Sequence, residues 1–363
     1  MMKPDGEDMQ EDSTRMEIHN RTSSATVKDV ARQANVSVGT VSRVFNNYSN
    51  VSQEIRQRVL QAAEDVEYRR SVLQMNGTIK EIGFLYCFNL DTGAFRTNPF
   101  WSGILNGVES EARKSQMKIT YHMLNEQGNN PSLLLSTLQG MKLGGMLLVG
   151  PAEEETIRLC KRLKLPLVLV DNHASGLSVD SVLCDNFDGA RMAVNYLIEE
   201  GHRQIALIGD PVWQSKRVYT IEQRALGYRM ALLAAGLPLD STLIETSDLC
   251  TEGGYEACNR LLESKAEFSA IFCVNDEIAL GAMKALHKAG RRIPEDVSLI
   301  GFDDIALVEH LTPSLTTVRV NKEALGALAV RSLLARAANP GVIGVRSILD
   351  VELIRRESVG PHS

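Results

Sequence analysis

Two groups of side chains in this sequence have the types and spacing to do chemistry. The first lies in the run SVGTVSRVFNN at residues 37–47. A helix that turns Val41, Val44 and Phe45 inward exposes Val38, Gly39, Thr40, Ser42 and Arg43 near its start. Arg43 is the one residue there able to donate bidentately to a guanine edge, while Thr26, Ser37, Thr40, Ser42 and Asn46 can hold phosphates and fix register on a duplex. The second group stands where apolar runs end: Asp171 after LVLV, Asn275 and Asp276 after IFCV, Asp303 and Asp304 after LIGF. Carboxylates and amides there accept hydrogen bonds from ligand hydroxyls, and Arg224 offers a planar fork for a hydroxyl pair or an anion. Asn98, Phe100 and Trp101 add an aromatic face that can stack on a ring, with ordinary core packing as the alternative and Phe100 the stronger of the two aromatics. Helix capping is an equal reading for Asp276 and Asp304, and a salt bridge between lobes is the alternative for Arg224 with Asp303. His202, after Gly201, reads as a cap on the carbonyls that end the preceding helix.

The elements that must position the first group are three short helices between Thr26 and about Arg70. Thr26 and Asp29 form a variant capping box, and Val27, Val30, Ala31 and Ala34 recur on one helical face. Asn35-Val36 makes a turn, Ser37 caps the second helix, and Ser52 caps a third with Ile55, Val59, Ala62, Ala63 and Val66 inward. Pattern alone leaves a plain helical hairpin open beside a helix-turn-helix. From residue 81 the texture changes to Val/Ile/Leu-rich strands alternating with amphipathic helices, which predicts parallel sheets covered on both faces. Strands are expected at Glu81–Phe88, Lys118–Leu124, Gly145–Gly150 and Leu167–Asp171, and then at Gln204–Gly209, Thr242–Glu245, Ala270–Val274 and Val297–Gly301. Two doubly wound lobes with a cleft between them would place the second group of residues at strand carboxyl ends, where such sheets bind ligands.

Composition narrows the classes. The chain has 363 residues, 44% of them hydrophobic, enough for more than one core. Six scattered cysteines, with no CxxC and no Cys/His grouping, give no basis for a disulfide framework, a metal or a cofactor. The N-terminus is acidic and lacks an apolar run, and no segment has the length of a membrane span, so a cytoplasmic protein is expected. Net charge is −6, yet residues 26–80 carry eight basic against five acidic side chains, and residues 1–25 only three basic against six acidic. A basic module following an acidic tail suits nucleic acid better than the total suggests. The main rival is a cytoplasmic α/β enzyme acting on a small metabolite, but GxGxxG, GxxxxGK[ST], HExxH and GxSxG motifs are all missing. A transport solute-binding protein would need export.

The run TVKDVARQANVSVGTVSRVFNNYSNVSQEIRQRVLQAAEDVEY closely resembles the LacI/GalR family of bacterial transcription regulators. The fragments EIGFL, GGMLLV, DNFDGA, RALGY, VNDEIALGAMKAL and IPEDVSLIGFDD look like that family's periplasmic-binding-protein-like core. The resemblance implies an all-α helix-turn-helix domain joined to a two-lobed α/β core with doubly wound parallel sheets. It implies a homodimeric repressor on pseudopalindromic operator DNA in the nucleoid, with a small-molecule effector of the carbohydrate class between the lobes. Val38, Gly39 and Arg43 then fall at base-reading positions, and Asn275, Arg224 and Asp303 at effector-contacting ones. Leu249 stands where several relatives place an aromatic ring. The segments this implies are a disordered tail at 1–25, the DNA-binding domain at 26–70 and a hinge at 71–80. One lobe would take 81–185 with 318–345, the other 186–317 with 346–363. The hinge departs from the family pattern: RRSVLQMNGTIKE follows Tyr68, leaving Leu73 or Met75 as the minor-groove wedge, or a linker that does not insert.

Overall fold

The computed structural model describes residues 27–45, 51–66, 79–88, 99–125, 131–210 and 218–362. The acidic tail 1–25, Thr26, Asn46, Asn98 and hinge residues 71–78, with Leu73 and Met75, lie outside them. The chain divides into two compact units that part between residues 71 and 72.

In the first unit, α1 (Val27–Gln33), α2 (Val38–Phe45) and α3 (Gln53–Asp65) follow the predicted apolar periodicity. Val30, Ala31, Ala34, Val41, Val44, Val59 and Ala62 form one small core, with Ile55 and Val66 packed against it. Burying each valine contributes about 1.5–3 kcal/mol, the main source of stability in so small a helical cluster. Asn35 makes the turn in the left-handed region at φ 51°, which a short amide side chain tolerates. Ser37 then caps α2, its Oγ accepting from Thr40 N at 3.0 Å, and Ser52 Oγ accepts from Ile55 N at 3.3 Å to open α3.

The second unit contains two six-stranded sheets. The first lobe runs β1 (Glu81–Phe88), α4 (Pro99–Lys114), β2 (Lys118–Asn125), α5 (Pro131–Gly140), β3 (Gly145–Val149), α6 (Glu154–Arg162), β4 (Leu167–Val170) and β5 (Asp180–Cys184). The second runs α7 (Asn186–Glu199), β6 (Ile205–Ile208), α8 (Tyr219–Ala234), β7 (Ile244–Glu245), α9 (Thr251–Glu263), β8 (Ala270–Cys273), α10 (Asp276–Lys288), β9 (Ser298–Asp303) and β10 (Thr316–Arg319). The chain returns to the first lobe for α11 (Lys322–Ala338) and β11 (Arg346–Leu349), then ends in the second with β12 (Glu352–Ile354).

The strand orders are β2-β1-β3-β4-β5-β11 and β7-β6-β8-β9-β10-β12, all parallel except β12, which runs antiparallel to β10. Each sheet therefore reverses direction of winding beside its first strand, the switch point where doubly wound sheets form a crevice. Buried strands such as Gly145–Val149 and Leu167–Val170 are apolar throughout because helices cover both faces.

Three expectations change. Residues 318–319 lie in the second sheet and 346–349 in the first, the reverse of the expected partition, because β10 pairs with β9 and β11 with β5. At Thr242–Glu245 only Ile244 and Glu245 pair as strand; Asp240 Oδ1 accepts from Thr242 N at 2.8 Å and winds Ser241–Leu243 into a 3-10 turn first. His202 caps nothing with its ring: Nδ1 meets Ser269 Oγ at 2.9 Å and Nε2 the Gly360 carbonyl at 3.1 Å, tying the start of β6 to the C-terminal segment.

Candidate DNA-reading helix and interlobe site

On α2 the inward stripe fixes what faces out. Val41 and Val44 are buried, so Val38, Gly39, Ser42 and Arg43 are left on the exposed side, with Val38 45% exposed. Ser37 Oγ and Thr40 Oγ1 lie 2.9 Å apart, so these two hydroxyls share a hydrogen bond within the cap. Among the described residues, a Cβ at Gly39 would meet within 4 Å only Ser37 Oγ, at 3.6 Å. That position is open by side-chain deletion and not by crowding. Arg43 is exposed and long enough to reach a base edge.

The second group of residues gathers at strand ends, but unequally. Asp171 ends β4 with φ 55° and is 7% exposed. Its Oδ1 is buried with no hydrogen-bond partner among the described residues, and burial pushes its carboxyl up to about 7. Asp303 ends β9 with φ 114°, a backbone state that side chains rarely adopt. Arg224, from α8, stands 3.0 Å from its carboxylate. Arg224 Nε also donates to Asn186 Oδ1 at 2.8 Å and Nη1 to the Val274 carbonyl at 2.7 Å, while its guanidinium lies 3.7 Å above the Phe302 ring. Burial raises the Asp303 carboxyl, against the opposing pull of Arg224 and Lys322. Burial is the main cause of the Asp171 shift, which Arg224 of the second lobe opposes and Asp303 of that lobe adds to.

The remaining candidates take structural places. Asn275 caps α10, its Oδ1 accepting from Ile278 N at 2.8 Å and its Nδ2 reaching the Leu249 carbonyl at 3.4 Å. Leu249 itself is half-buried against the core. Phe100 is buried in a T-shaped contact with Trp101, ring centroids 4.9 Å apart, so it takes a core position. Asp276 caps no helix: Oδ2 accepts from Ile305 N at 2.9 Å and Oδ1 from Thr317 Oγ1 at 2.6 Å, and burial pushes it up to about 8. Gly301 leaves room for it, since a Cβ there would lie 2.3 Å from Asp276 Oδ1. Asp304 likewise caps nothing and pairs with Arg319 at 2.6 Å and Arg356 at 2.7 Å.

Sequence reasoning missed Asn186, Phe302 and Lys322 as supports of the Arg224–Asp303 pair. Lys322 Nζ donates to the carbonyls of Asp303, at 2.5 Å, and Asp304, at 3.0 Å, holding the left-handed turn from the start of α11. Only the paired aspartates after LIGF hinted that such a turn would need holding.

A helical module of this form, followed by a two-lobed α/β core with a buried polar group between its lobes, defines a DNA-binding transcription regulator that carries a ligand-binding type of domain. The model of bacterial regulatory proteins of the lacI family matches residues 26–71, and that of the periplasmic binding protein-like domain matches residues 194–359. The ribose operon repressor of Haemophilus influenzae is 33% identical over 338 residues, covering 92% of this chain and 98% of its own. A solved transcriptional regulator CelR–cellobiose complex superimposes with TM-score 0.71 at 31% identity, covering 92% of this chain and 99% of that one. The lac repressor dimer bound to operator gives TM-score 0.67 at 25% identity, over 93% of this chain and 100% of that one. The chain belongs to the LacI family of bacterial regulatory proteins. It is a transcription regulator and not an enzyme. Among the described residues no helix is long and apolar enough to cross a membrane.

Proposed function

We propose that this regulator is a repressor whose hold on a pseudopalindromic operator is set by a neutral, hydroxyl-bearing metabolite of the sugar class, bound between the lobes. The observation that carries this reading is the unpartnered, buried Oδ1 of Asp171 beside an Arg224–Asp303 pair whose charge is already balanced. Such a group hydrogen-bonds ligand hydroxyls and offers no unbalanced positive charge to a phosphate or carboxylate. The names of the relatives, which include a ribose operon repressor and a regulator bound to cellobiose, point to the same class.

Asp171, Arg224 and Asp303 make the polar contacts, with Asn275, Leu249, Phe100 and Asn98 shaping the surroundings. Arg43 reads a guanine, Val38 meets a base methyl, and Gly39 lets the backbone approach. Ser37, Thr40, Ser42, Thr26 and Asn46 set the register on phosphates. The protein works as a homodimer in the cytoplasm, on the nucleoid, with residues 26–70 as the DNA module and 71–80 as the linker. Effector binding shifts the lobes between two arrangements and so changes the spacing of the two modules. A thermal-shift screen of ribose, cellobiose, nucleosides and sugar phosphates tests this: a neutral polyol should raise the melting temperature in a saturable way. Stabilisation by sugar phosphates alone would overturn the assignment of ligand charge.

A further inference from the structure

Asp171 and Arg224 sit on different lobes, and the side chains around them show how their separation is fixed. Two residues beyond Asp171, His173 lies near the start of the 171–179 connection between β4 and β5, which Asn172 pins: Asn172 Oδ1 accepts from His173 N at 2.8 Å and Asn172 Nδ2 donates to the Ala152 carbonyl at 2.9 Å. Arg224 lies on α8, whose first residue is Tyr219. Both ends of this arrangement meet one guanidinium. Arg346, at the start of the edge strand β11, donates from Nη1 to Tyr219 Oη at 3.1 Å and from Nη2 to His173 Nε2. The His173 and Tyr219 rings pack edge to face with centroids 5.1 Å apart, and the Arg346 guanidinium lies 5.7 Å from the Tyr219 ring centroid.

Arg346 and His173 belong to the first lobe and Tyr219 to the second, so this is a contact between lobes made by a fork, an imidazole and a phenol. Its geometry is specific. A guanidinium can donate to His173 Nε2 only if that nitrogen carries no proton, so the fastened state needs a neutral imidazole protonated on Nδ1. Strand β11 is backed by β5 alone, which leaves its first residue free to turn outward across the boundary.

We propose that Arg346 is a positioning residue that clasps the Asp171 loop to the head of α8, and thereby sets the distance between Asp171 and Arg224. It touches no ligand in this role. Its consequence for sensing rests on the effector reading above, because a clasp that holds the lobes at one separation fixes how much of the ligand's binding energy is spent on closing them.

The test uses the full chain with no ligand. Hydrogen–deuterium exchange is followed at the amides of Glu222, Gln223 and Arg224 in the wild type, Tyr219→Phe, Arg346→Gln and the double variant. Tyr219→Phe keeps the ring and removes only the hydroxyl. Each single change should speed exchange there by about two- to tenfold, the range of one exposed hydrogen bond, and the double variant should go no further than Arg346→Gln alone. Amides of β8 and α11 should keep their wild-type rates, which a general loss of stability would not allow. Arg346→Lys should restore only part of the protection, since an ammonium cannot serve both partners as a fork does. Unchanged exchange in both single variants, additive effects in the double, or acceleration spread through both lobes would overturn the clasp. None of these results would touch the effector reading, which the thermal-shift screen tests separately.

Discussion

Arg224 on α8 and Asp303 at the end of β9 stand 3.0 Å apart with almost all of both side chains buried, and both belong to the second lobe. The sequence left an ion pair between lobes open for these two residues. A pair inside one lobe does not tie the lobes together; it presents a charge-balanced polar surface to Asp171 of the other lobe.

Arg224→Ala would leave the Asp303 carboxylate and Asn186 without their partner, and removing one member of a buried pair costs about 3–5 kcal/mol. Its melting temperature should fall sharply. Asp303→Asn keeps shape and one acceptor, so it should melt closer to the wild type while weakening a bound polyol by about ten- to a hundredfold. Calorimetric titration with the best compound from the screen, beside melting curves, separates the two effects. If Asp303→Asn lowered the melting temperature and left ligand affinity intact, the carboxylate would be a structural group only.

Asp171 also predicts a pH dependence. Burial raises its carboxyl from 3.8 to about 7, and that of Asp276 from 3.8 to about 8, so the folded chain binds these protons more tightly than the unfolded chain does. Their contribution to stability is then greatest at low pH and is lost as pH rises from about 4 through these values. Asp171→Asn, neutral at every pH, should melt higher than the wild type at about pH 8 and much like it at about pH 5. Parallel melting curves across that range would mean that Asp171 is ionised and solvated in the folded state.

On the DNA side, Arg43→Ala should cost about 1–3 kcal/mol on the operator and much less on random duplex, since a base contact discriminates and a phosphate contact does not. Anisotropy titrations at one fixed salt concentration measure both. Equal losses would make Arg43 a phosphate ligand.

Much of this was legible in the sequence, and the gaps have physical causes. The helices of the first unit followed from valine and alanine spacing because so small a module has a single way to bury them. The strands Gly145–Val149 and Leu167–Val170 were plain because burial on both faces makes them wholly apolar. The edge strand Arg346–Leu349 was not, because it has four residues, none of them fully buried, and its pairing with β5 spans a long stretch of chain. Among the site residues, the chemical types of Asp171, Arg224 and Asp303 were visible as strand-end or helix-borne polar groups. The capping role of Asn275 is local, with Ile278 N three residues on, and falls one residue before the Asp276 that the sequence offered as a cap; the grip of Asp276 on Ile305 N was not legible, since only the tertiary fold brings that partner near. Phe100 shows the opposite failure: an aromatic at a loop end looked available for stacking, and the fold buries it in the core in a T-shaped contact with Trp101.

The account stands on one coupling, between a small molecule held by the lobes and the grip of the helix-turn-helix on DNA. The direct measurement is a titration of the full chain against an operator duplex chosen by selection from random DNA, with and without a saturating amount of the compound that shifts its melting most. We expect the operator dissociation constant to change by about fivefold or more, a coupling of about 1–3 kcal/mol, with random DNA affected far less. An operator affinity that stays the same while that compound is demonstrably bound would contradict the account.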